Sequence, residues 1–303
     1  MLEALRRAGR LCLVGFQALH SEDIRFIKDR IVSGRLGRVS TLACWAGWPR
    51  PAAYYARNDW AGRLRAGGAW VLDGPATNAL AHQVANMLFL ASPEPDRLAS
   101  PSAVRAELYA AGPIESHDTA AIEILTAEGP RAHFLATHCS ETVHEPIIEI
   151  QAERARVSWA MRKGLTISYH DGSRETFGFD FQQHGRMVAN FVQAVRATEG
   201  GAPPAGGFGP LGCPLSEARK VVLALNGAHE SSRAVHRVPE SDARREGEGE
   251  SARTVIPGID RWLEQAAASG TLLSDLRDGP PWSVRTERFS LEGYRQFPQV
   301  FRA

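Results

Sequence analysis

Cysteine is scarce in this sequence, and its spacing shows no pairing pattern. The four cysteines, Cys12, Cys44, Cys139 and Cys213, lie far apart, and none belongs to a Cys-x-x-Cys pair. Zinc modules and disulfide-stapled folds need closely spaced cysteines, so the sequence argues against both classes. Unpaired thiols are typical of a reducing compartment, and we therefore expect a cytoplasmic protein.

A charge imbalance and long apolar runs are also missing. The 303 residues contain 35 Lys and Arg against 34 Asp and Glu, a formal net charge of +1. A chain so close to neutrality gives no electrostatic reason to expect nucleic acid or an anionic membrane surface as a partner. Because no uncharged apolar run reaches about 18 residues, we also expect no membrane-spanning helix. The predicted partner is a small molecule.

Histidines are the remaining metal-ligand type, and they form only a loose group. His133, His138 and His144 lie around Cys139 without a tight, recurring ligand spacing. Such a group is more typical of histidines carried by strands than of a metal site. We therefore predict no metal site.

Short predicted strands dominate the middle of the sequence. Turn signals such as Glu128-Gly129-Pro130 separate them, and connections this brief require antiparallel neighbours. Charged residues alternate with apolar ones in places, as at Arg105 and Glu107. Helices are predicted from about 182 to 198 and from about 214 onward. The sequence therefore predicts an α+β fold in which a large, open, mostly antiparallel sheet has helices packed on one face. The predicted strands cover residues 39–45, 103–109, 119–126, 132–139, 147–151, 155–159, 165–169 and 176–179.

The beginning of the sequence has a different character. Residues 2–8 are typical of the end of a helix closed by Gly9, and Leu11–Phe16 is an unbroken apolar run. Such a run predicts a strand buried on both faces of a parallel sheet. A parallel neighbour requires a long crossover connection, which one short helix does not provide. We therefore expect these residues to be the last helix–strand unit of a truncated doubly wound domain.

The most informative stretch lacks charge altogether. No Asp, Glu, Lys or Arg occurs from Gly74 to Pro93, which predicts a helix buried nearly all round. Asn78, His82 and Asn86 are spaced as one polar stripe on a helix face, and unpartnered buried polar groups cost about 1–3 kcal/mol each. We interpret Asn86 as structural. For Asn78 and His82 a structural and a catalytic role are equally favoured, because histidine is the natural proton-transfer group near neutral pH.

The segment before this stretch combines aromatic rings, amides and guanidinium groups. Residues 54–65 read YYARNDWAGRLR. This composition suits a sugar-like ligand, which has apolar faces and a hydroxyl rim, although such loops also commonly pack a protein surface. The candidate substrate-binding residues are Asp73, Thr77, Tyr55, Arg57, Asn58, Trp60 and Arg63.

The order of these features resembles the Gfo/Idh/MocA family of oxidoreductases. An apolar strand (LCLVGFQ), a helix and the turn SGRLGRV at 33–39 are followed by Gly67-Gly68-x-x-x-Leu72-Asp73 and later by LSEAR at 215–219. No single motif is specific, but their order and spacing are. The resemblance covers about residues 1–236, and residues 257–298 are similar to a terminal extension of some relatives.

The resemblance implies a two-domain ancestor. Family members pair an N-terminal Rossmann domain, which binds NAD or NADP, with an α+β domain whose open sheet shapes the substrate site and often the oligomer contact. We therefore assign residues 1–20 to a remnant of the dinucleotide-binding domain and 21–303 to the substrate domain. The implied cofactor is NAD or NADP, with its binding domain absent from this chain. The glycine-rich residues 206–212 follow a helix and contain Pro210, so we interpret them as a loop.

The sequence also departs from the family pattern. Of the usual Asp-x-x-x-His-x-x-Asp, Asp73 matches the first position, while Thr77 and Leu80 occupy the other two. The family's Glu-Lys-Pro segment would precede Met1. The usual acid–base pair is therefore not carried over, and our hypothesis is that His82 with Asn78 replaces it.

Two functions remain open. The first is the substrate-binding portion of an NAD(P)-dependent oxidoreductase acting on a sugar or polyol CH–OH group, incomplete and inactive alone. The alternative is a non-enzymatic binding or oligomerisation module derived from that family. In both cases we expect a homo-oligomer formed through the sheet. A hydrolase is disfavoured because no G-x-S-x-G turn is present.

Overall fold

A ten-stranded mixed sheet organises the chain in a computed structural model, which describes residues 1–199 and 212–303. Two further pairs of short strands form separate two-stranded sheets. The strands are β1 (Val39–Gly47), β2 (Arg65–Ala66), β3 (Ala69–Trp70), β4 (Pro101–Ala110), β5 (Thr119–Thr126), β6 (Arg131–Thr137), β7 (His144–Ala152), β8 (Ala155–Ala160), β9 (Gly164–Tyr169), β10 (Arg174–Phe177), β11 (His236–Arg237), β12 (Arg244–Glu246), β13 (Arg253–Val255) and β14 (Phe289–Ser290).

The order across the large sheet is β10-β9-β8-β7-β1-β6-β5-β4-β11, and β14 also pairs with β4. Most neighbours are antiparallel, as the short connections predict, and the α+β class is confirmed. Two pairs are parallel, β1 with β6 and β4 with β11. The parallel β1–β6 pair lies at the centre of the sheet, so the two strands end at the same edge.

Helices cover one face of this sheet. The helices are α1 (Leu2–Ala8), α2 (Glu22–Val32), α3 (Ala52–Ala56), α4 (Ala81–Ala91), α5 (Gln183–Glu199), α6 (Leu215–Ser232) and α7 (Ile259–Ser269). Helix α4 packs on β1 and β6, and α6 packs on β4. Every residue of α4 except His82 is buried, as the uncharged stretch predicts. In the part of the chain that the structure describes, no helix has the length and apolar character needed to cross a membrane.

The C-terminal segment covers part of the other face. Helix α7 packs on β1 and β6, and its Leu263 joins a second apolar cluster with Tyr109 and Leu135. The charged positions of β4 also face this segment. Arg105 Nη1 lies 2.6 Å from Asp275 Oδ2, and the buried Glu107 accepts a 2.6 Å hydrogen bond from Ser274 Oγ. The face of β4 that carries Arg105 and Glu107 is therefore covered by the C-terminal segment. The sequence predicted helices on one face only, so this second layer is an addition to the prediction.

The predicted strand at Leu11–Phe16 is wrong. Only Leu13 forms a bridge, with Pro214, and the apolar side chains of this run are partly exposed. Val14 N donates to Cys213 O at 2.9 Å, so the run lies against the residues before α6. Helix α1 does end at Gly9, which adopts a left-handed conformation with φ of 56°. The assignment of residues 1–20 to a separate domain stays a prediction. Of the predicted glycine-rich loop at 206–212, residues 206–211 lie outside the described residues.

One buried carboxylate holds the C-terminal tail. Glu230 on α6 is fully buried and accepts hydrogen bonds from Tyr294 Oη at 2.8 Å and from three backbone N–H groups at 2.6–2.9 Å. Those N–H groups belong to Gln299, Val300 and Phe301. A carboxylate that accepts several donors stabilises its ionised form without a cation. One side chain therefore accepts four of the hydrogen bonds that hold the tail.

We expect Glu230→Gln to destabilise the protein by about 2–3 kcal/mol, because the amide group would face buried donors in place of a carboxylate oxygen. Urea unfolding measures this change. The exposed Glu292→Gln is the matched control and should change the unfolding free energy by less than about 0.5 kcal/mol. Equal losses in the two variants would contradict the role of Glu230.

A second carboxylate, Glu123, lies between the sheet and the C-terminal segment. It accepts a hydrogen bond from Arg288 Nη2 at 3.0 Å and lies 3.7 Å from His133 Nε2. The hydrogen bond with His133, supported by Arg288 and opposed by burial, lowers the pKa of Glu123 from 4.5 to about 2. The ionised form is therefore favoured in the folded state.

Because the folded-state pKa is depressed, Glu123 contributes stability above pH 4.5 that is lost as the pH falls toward 2. We expect Glu123→Gln to weaken the acid dependence of the unfolding free energy in this window by on the order of 1–3 kcal/mol. Denaturant titrations at several pH values measure the slope. Glu287→Gln, whose side chain is 83% exposed, should keep the parent slope. An unchanged slope in Glu123→Gln would refute the assignment.

Candidate functional site

A cavity of about 310 Å³ lies at the edge of the sheet where β1 and β6 end. Arg50 and Tyr55 follow β1, and His138 and Cys139 follow β6. The adjacent end of β4 and the start of β5 contribute Gly112–Ile114 and Asp118. Residues of the β12–β13 hairpin close the cavity from outside. The cavity therefore draws its walls from segments far apart in sequence.

A tyrosine–histidine pair lines this cavity. Tyr55 Oη lies 3.1 Å from His138 Nδ1, and His138 is only 2% exposed. Burial, and then the charges of Arg50 and Arg57, lower the pKa of His138 to about 3. The imidazole is therefore neutral near pH 7. The tautomer decides which of the Tyr55 hydroxyl and His138 Nδ1 is the donor, and Nε2 is buried without a hydrogen-bond partner in residues 1–199 and 212–303.

Asp73 and Asn78 lie behind this pair. Asp73 is buried and accepts hydrogen bonds from Gly62 N at 2.7 Å and from Asn78 Nδ2 at 2.8 Å. Asn78 Nδ2 also lies 3.4 Å from Tyr54 Oη, and the Tyr54 ring is 5.6 Å from the ring of His138. The structure thus brings the predicted residues Asp73, Asn78 and Tyr55 together, but both Asp73 oxygens already accept protein donors.

Arg57 and Trp60 form the outer part of this region. The Arg57 guanidinium lies 3.6 Å from the centre of the Tyr54 ring and 5.2 Å from that of Trp60. Such cation–π contacts fix the orientation of an arginine that stays near the surface. Trp60 is 36% exposed. Both predicted residues therefore lie beside the Tyr54 ring.

Three other candidates have local roles. Thr77 Oγ1 donates to Leu72 O, and Asn58 Oδ1 accepts from Trp60 N at 3.1 Å and Ala61 N at 2.7 Å. Arg63 forms an exposed ion pair with Glu115 at 3.6 Å. The first two side chains stabilise turns of their own segment. A binding role for Thr77, Asn58 and Arg63 stays a prediction.

The predicted polar stripe does not form. Helix α4 begins only at Ala81, so Asn78 lies in the preceding turn and is not one helical turn from His82. The His82 ring packs edge-on against Phe16 at 5.5 Å, and burial lowers its pKa, with a smaller effect of His184. Asn86 Nδ2 donates to Gln83 Oε1 at 3.1 Å, which agrees with a structural role. The three side chains therefore have different surroundings.

Sequence reasoning missed Arg50, Asp118 and His138 as site residues. Each lies just outside a strand of the structure, and the available signal was a polar residue near a predicted strand end: His138 falls inside the predicted strand 132–139, and Asp118 directly precedes the predicted strand 119–126. Using that signal requires knowing that β1 and β6 are parallel neighbours. The loose histidine group does not converge, since His133 approaches Glu123 and His144 approaches Asp260 at 3.3 Å. Among the described residues no three metal-ligating side chains lie together.

The glycine turns of the described residues do not fit a dinucleotide. A pyrophosphate site requires a glycine turn between a strand and the N-terminus of a helix. Gly67 and Gly68, with φ of 55° and 79°, instead form the turn of the β2–β3 hairpin. Gly74 precedes α4, but a Cβ there would lie 2.4 Å from His117, so its glycine is required by packing. Neither turn therefore offers a pyrophosphate site.

The fold and a family model agree on the class of protein. Residues 24–158 match the model described as the GFO/IDH/MocA C-terminal domain. An α+β domain with this mixed sheet is the architecture of the second domain of such oxidoreductases, and the recognised resemblance is confirmed. Over residues 24–158, the chain is therefore similar to the C-terminal domain of Gfo/Idh/MocA oxidoreductases. No curated protein was found to match the sequence.

Solved structures share the fold at low identity. The WlbA dehydrogenase from Bordetella pertussis, in complex with NADH and UDP-GlcNAcA, is 19% identical with a TM-score of 0.56, covering 77% of this chain and 64% of that one. A super-repressor mutant of Gal80p from Saccharomyces cerevisiae is 12% identical with a TM-score of 0.58, covering 75% and 65%. Aldose–aldose oxidoreductase from Caulobacter crescentus, complexed with glycerol, is 15% identical with a TM-score of 0.53, covering 76% and 65%. The chain thus spans less than two thirds of each of these proteins.

We expect Tyr55→Phe to destabilise the protein by about 1–2 kcal/mol, because it leaves the buried His138 Nδ1 without its partner. Thermal unfolding measures the loss. Tyr54→Phe removes a hydroxyl with only a long 3.4 Å contact and should cost less than about 0.5 kcal/mol. Equal stability of Tyr55→Phe and the parent would show that the 3.1 Å contact is not a hydrogen bond.

Proposed function

We propose that this chain forms the substrate-binding portion of an NAD(P)-dependent oxidoreductase that acts on a CH–OH group of a sugar or polyol. The observation that carries this proposal is the cavity at the ends of β1 and β6, with its Tyr55–His138 pair, in a domain of this family. A volume of about 310 Å³ is near the lower end for ligand pockets and suits one monosaccharide ring. A neutral imidazole and amide groups are suitable partners for hydroxyls.

Proteins of the same fold support the substrate class and the cofactor. One of them was solved with NADH and a sugar nucleotide, and another is an aldose–aldose oxidoreductase. A third, from Desulfitobacterium hafniense, is described as a putative NADPH-dependent oxidoreductase. The sequence identity of these three proteins to this chain is at most 19%, so a sugar substrate and a nicotinamide cofactor are proposals for this chain.

The residues of this chain would bind and orient the substrate. Tyr55 and His138 line the cavity and offer polar groups to sugar hydroxyls, while Asn78 lies behind them, where its Nδ2 donates to Asp73 at 2.8 Å. Arg57 and Trp60 lie at the outer side of this region. Asn78 and His82 stay our catalytic candidates. NAD(P) would supply the hydride acceptor or donor. Since the described glycine turns do not fit its pyrophosphate, we propose that turnover requires a dinucleotide-binding domain beyond the described residues and that this chain is inactive alone.

The alternative is a non-enzymatic module, and one observation favours it. At the two positions where the family places its histidine and second aspartate, Thr77 donates to backbone and Leu80 is fully buried. The fold is also shared by Gal80p, of which a super-repressor mutant was solved. Such a module would assemble through the sheet without binding a sugar. Because α7 covers β1 and β6, we place a homo-oligomer contact on the β7–β10 half. All four cysteines are free, and we therefore propose a cytoplasmic location.

Calorimetric titration of the purified chain with aldoses, polyols and sugar acids tests sugar binding. We expect Asn78→Ala to weaken binding of the preferred ligand about fivefold, because losing the 2.8 Å hydrogen bond to Asp73 loosens the segment behind the Tyr55–His138 pair, and His82→Ala to change binding less than twofold. His82→Ala also serves as the control for a change in the same segment. Oligomerisation without binding of any sugar in this panel would instead support the non-enzymatic module.

A further inference from the structure

The outer wall of the cavity comes from residues beyond the matched domain. Arg245, Arg253 and Thr254 belong to the β12–β13 hairpin, which follows the 24–158 stretch. Ala52 N donates to Ala252 O at 2.7 Å, and Pro51 pairs with Arg253, so the hairpin is fastened to the segment that carries Tyr55. The hairpin therefore adds specific side chains to the cavity.

Those side chains make the cavity rich in positive charge. Arg50, Arg245 and Arg253 all line it. Arg253 is neutralised by Glu246, with Nη2 and Oε2 2.7 Å apart. Arg50 and Arg245 have no ion pair with the side chains of residues 1–199 and 212–303. Two arginines that line the cavity thus have no carboxylate partner among the described residues.

Arg50 is also held in place. Its backbone N donates to His138 O at 3.1 Å, and its guanidinium lies 4.7 Å from the centre of the Tyr54 ring and 5.3 Å from that of Trp48. Its Nε is buried without a hydrogen-bond partner in the described chain. Guanidinium groups fixed by aromatic stacking are well suited to planar recognition of an anion.

The one carboxylate in the cavity wall does not compete for these cations. Asp118 Oδ2 accepts hydrogen bonds from Ala111 N at 2.9 Å and Gly112 N at 2.7 Å, and Oδ1 lies 3.3 Å from Thr119 Oγ1. Burial raises the pKa of Asp118, which makes its charged form less favourable. Its oxygens are occupied by the protein.

We infer that the cavity selects an anionic monosaccharide, with its carboxylate or phosphate on Arg50 and Arg245 and its ring beside His138, which lines the same cavity. This inference rests on the proposed function and narrows its substrate class from sugars in general to charged ones. Two independent features point to a ligand. The first is the pair of arginines that lack a carboxylate partner, and the second is His138, which is 98% buried and whose Nε2 has no hydrogen-bond partner among the described residues.

The test is calorimetric titration of the full chain with D-glucuronate, D-glucose 6-phosphate and D-glucose. We expect at least one anion to bind about tenfold or more tightly than glucose, and added salt to weaken only the anions. Tighter glucuronate identifies a carboxylate as the bound group, and tighter glucose 6-phosphate identifies a phosphate.

Arg245→Gln is the informative variant, because its exposed side chain can change without disturbing the fold. This variant should bind the preferred anion about tenfold more weakly than the parent, and its affinity for glucose should change less than twofold. Arg219→Gln, an exposed arginine on α6, makes the same charge change outside the cavity and should alter neither. Equal affinities for glucose and both anions, or equal loss for glucose and the anion in Arg245→Gln, would overturn the inference and leave the proposed function intact. If none of these three ligands binds, the inference fails, whereas the proposed function fails only if the wider panel of aldoses, polyols and sugar acids also does not bind.

Discussion

The parallel pairing of β1 with β6 is the constraint on which the site depends. The two strands are aligned from Thr41 opposite Arg131 to Gly47 opposite Thr137, so their carboxyl ends coincide. The pairing continues past the strands, since Trp48 N donates to Thr137 O at 2.9 Å and Arg50 N donates to His138 O at 3.1 Å. Arg50 and His138 are therefore neighbours through backbone contacts, whatever their side chains do. Every other wall of the cavity is placed relative to this edge.

The segment after β11 contributes both to the stability of the fold and to the wall of the cavity. It is fastened to the sheet by carboxylates whose partners lie far away in sequence, as Glu107 with Ser274 and Glu123 with Arg288 show. The same segment carries the β12–β13 hairpin and thus two of the three arginines that line the cavity, Arg245 and Arg253. Changes that loosen the C-terminal segment are therefore expected to alter ligand binding as well as stability.

Burial and nearby positive charge act on His138 in the same direction. Two arginines and full burial keep the imidazole neutral. Asp73, the one residue that matches the family's acidic pattern, uses both oxygens to hold Gly62 and Asn78. Neither side chain is therefore free to take the place of the family's acid–base pair.

Local sequence patterns determined the secondary structure and the fold class. The turn residues and alternation predicted the strands from 39 to 179, and the absence of charge from Gly74 to Pro93 predicted a helix buried nearly all round, because both patterns record burial within a few residues. They failed at Leu11–Phe16, whose apolar run packs beside Cys213 instead of entering a sheet. The spacing of Asn78 and His82 was also misleading, since α4 begins only after Asn78.

Only the tertiary structure decided which polar residues meet. Tyr55 and His138, like Arg50 and Arg245, are distant in sequence and become neighbours through strand pairing and the docking of the hairpin. Such contacts depend on the packing of whole elements, for which a single sequence carries no local signal. The sequence by itself therefore determined the kind of domain, and long-range packing determined where its site lies and which charges face it.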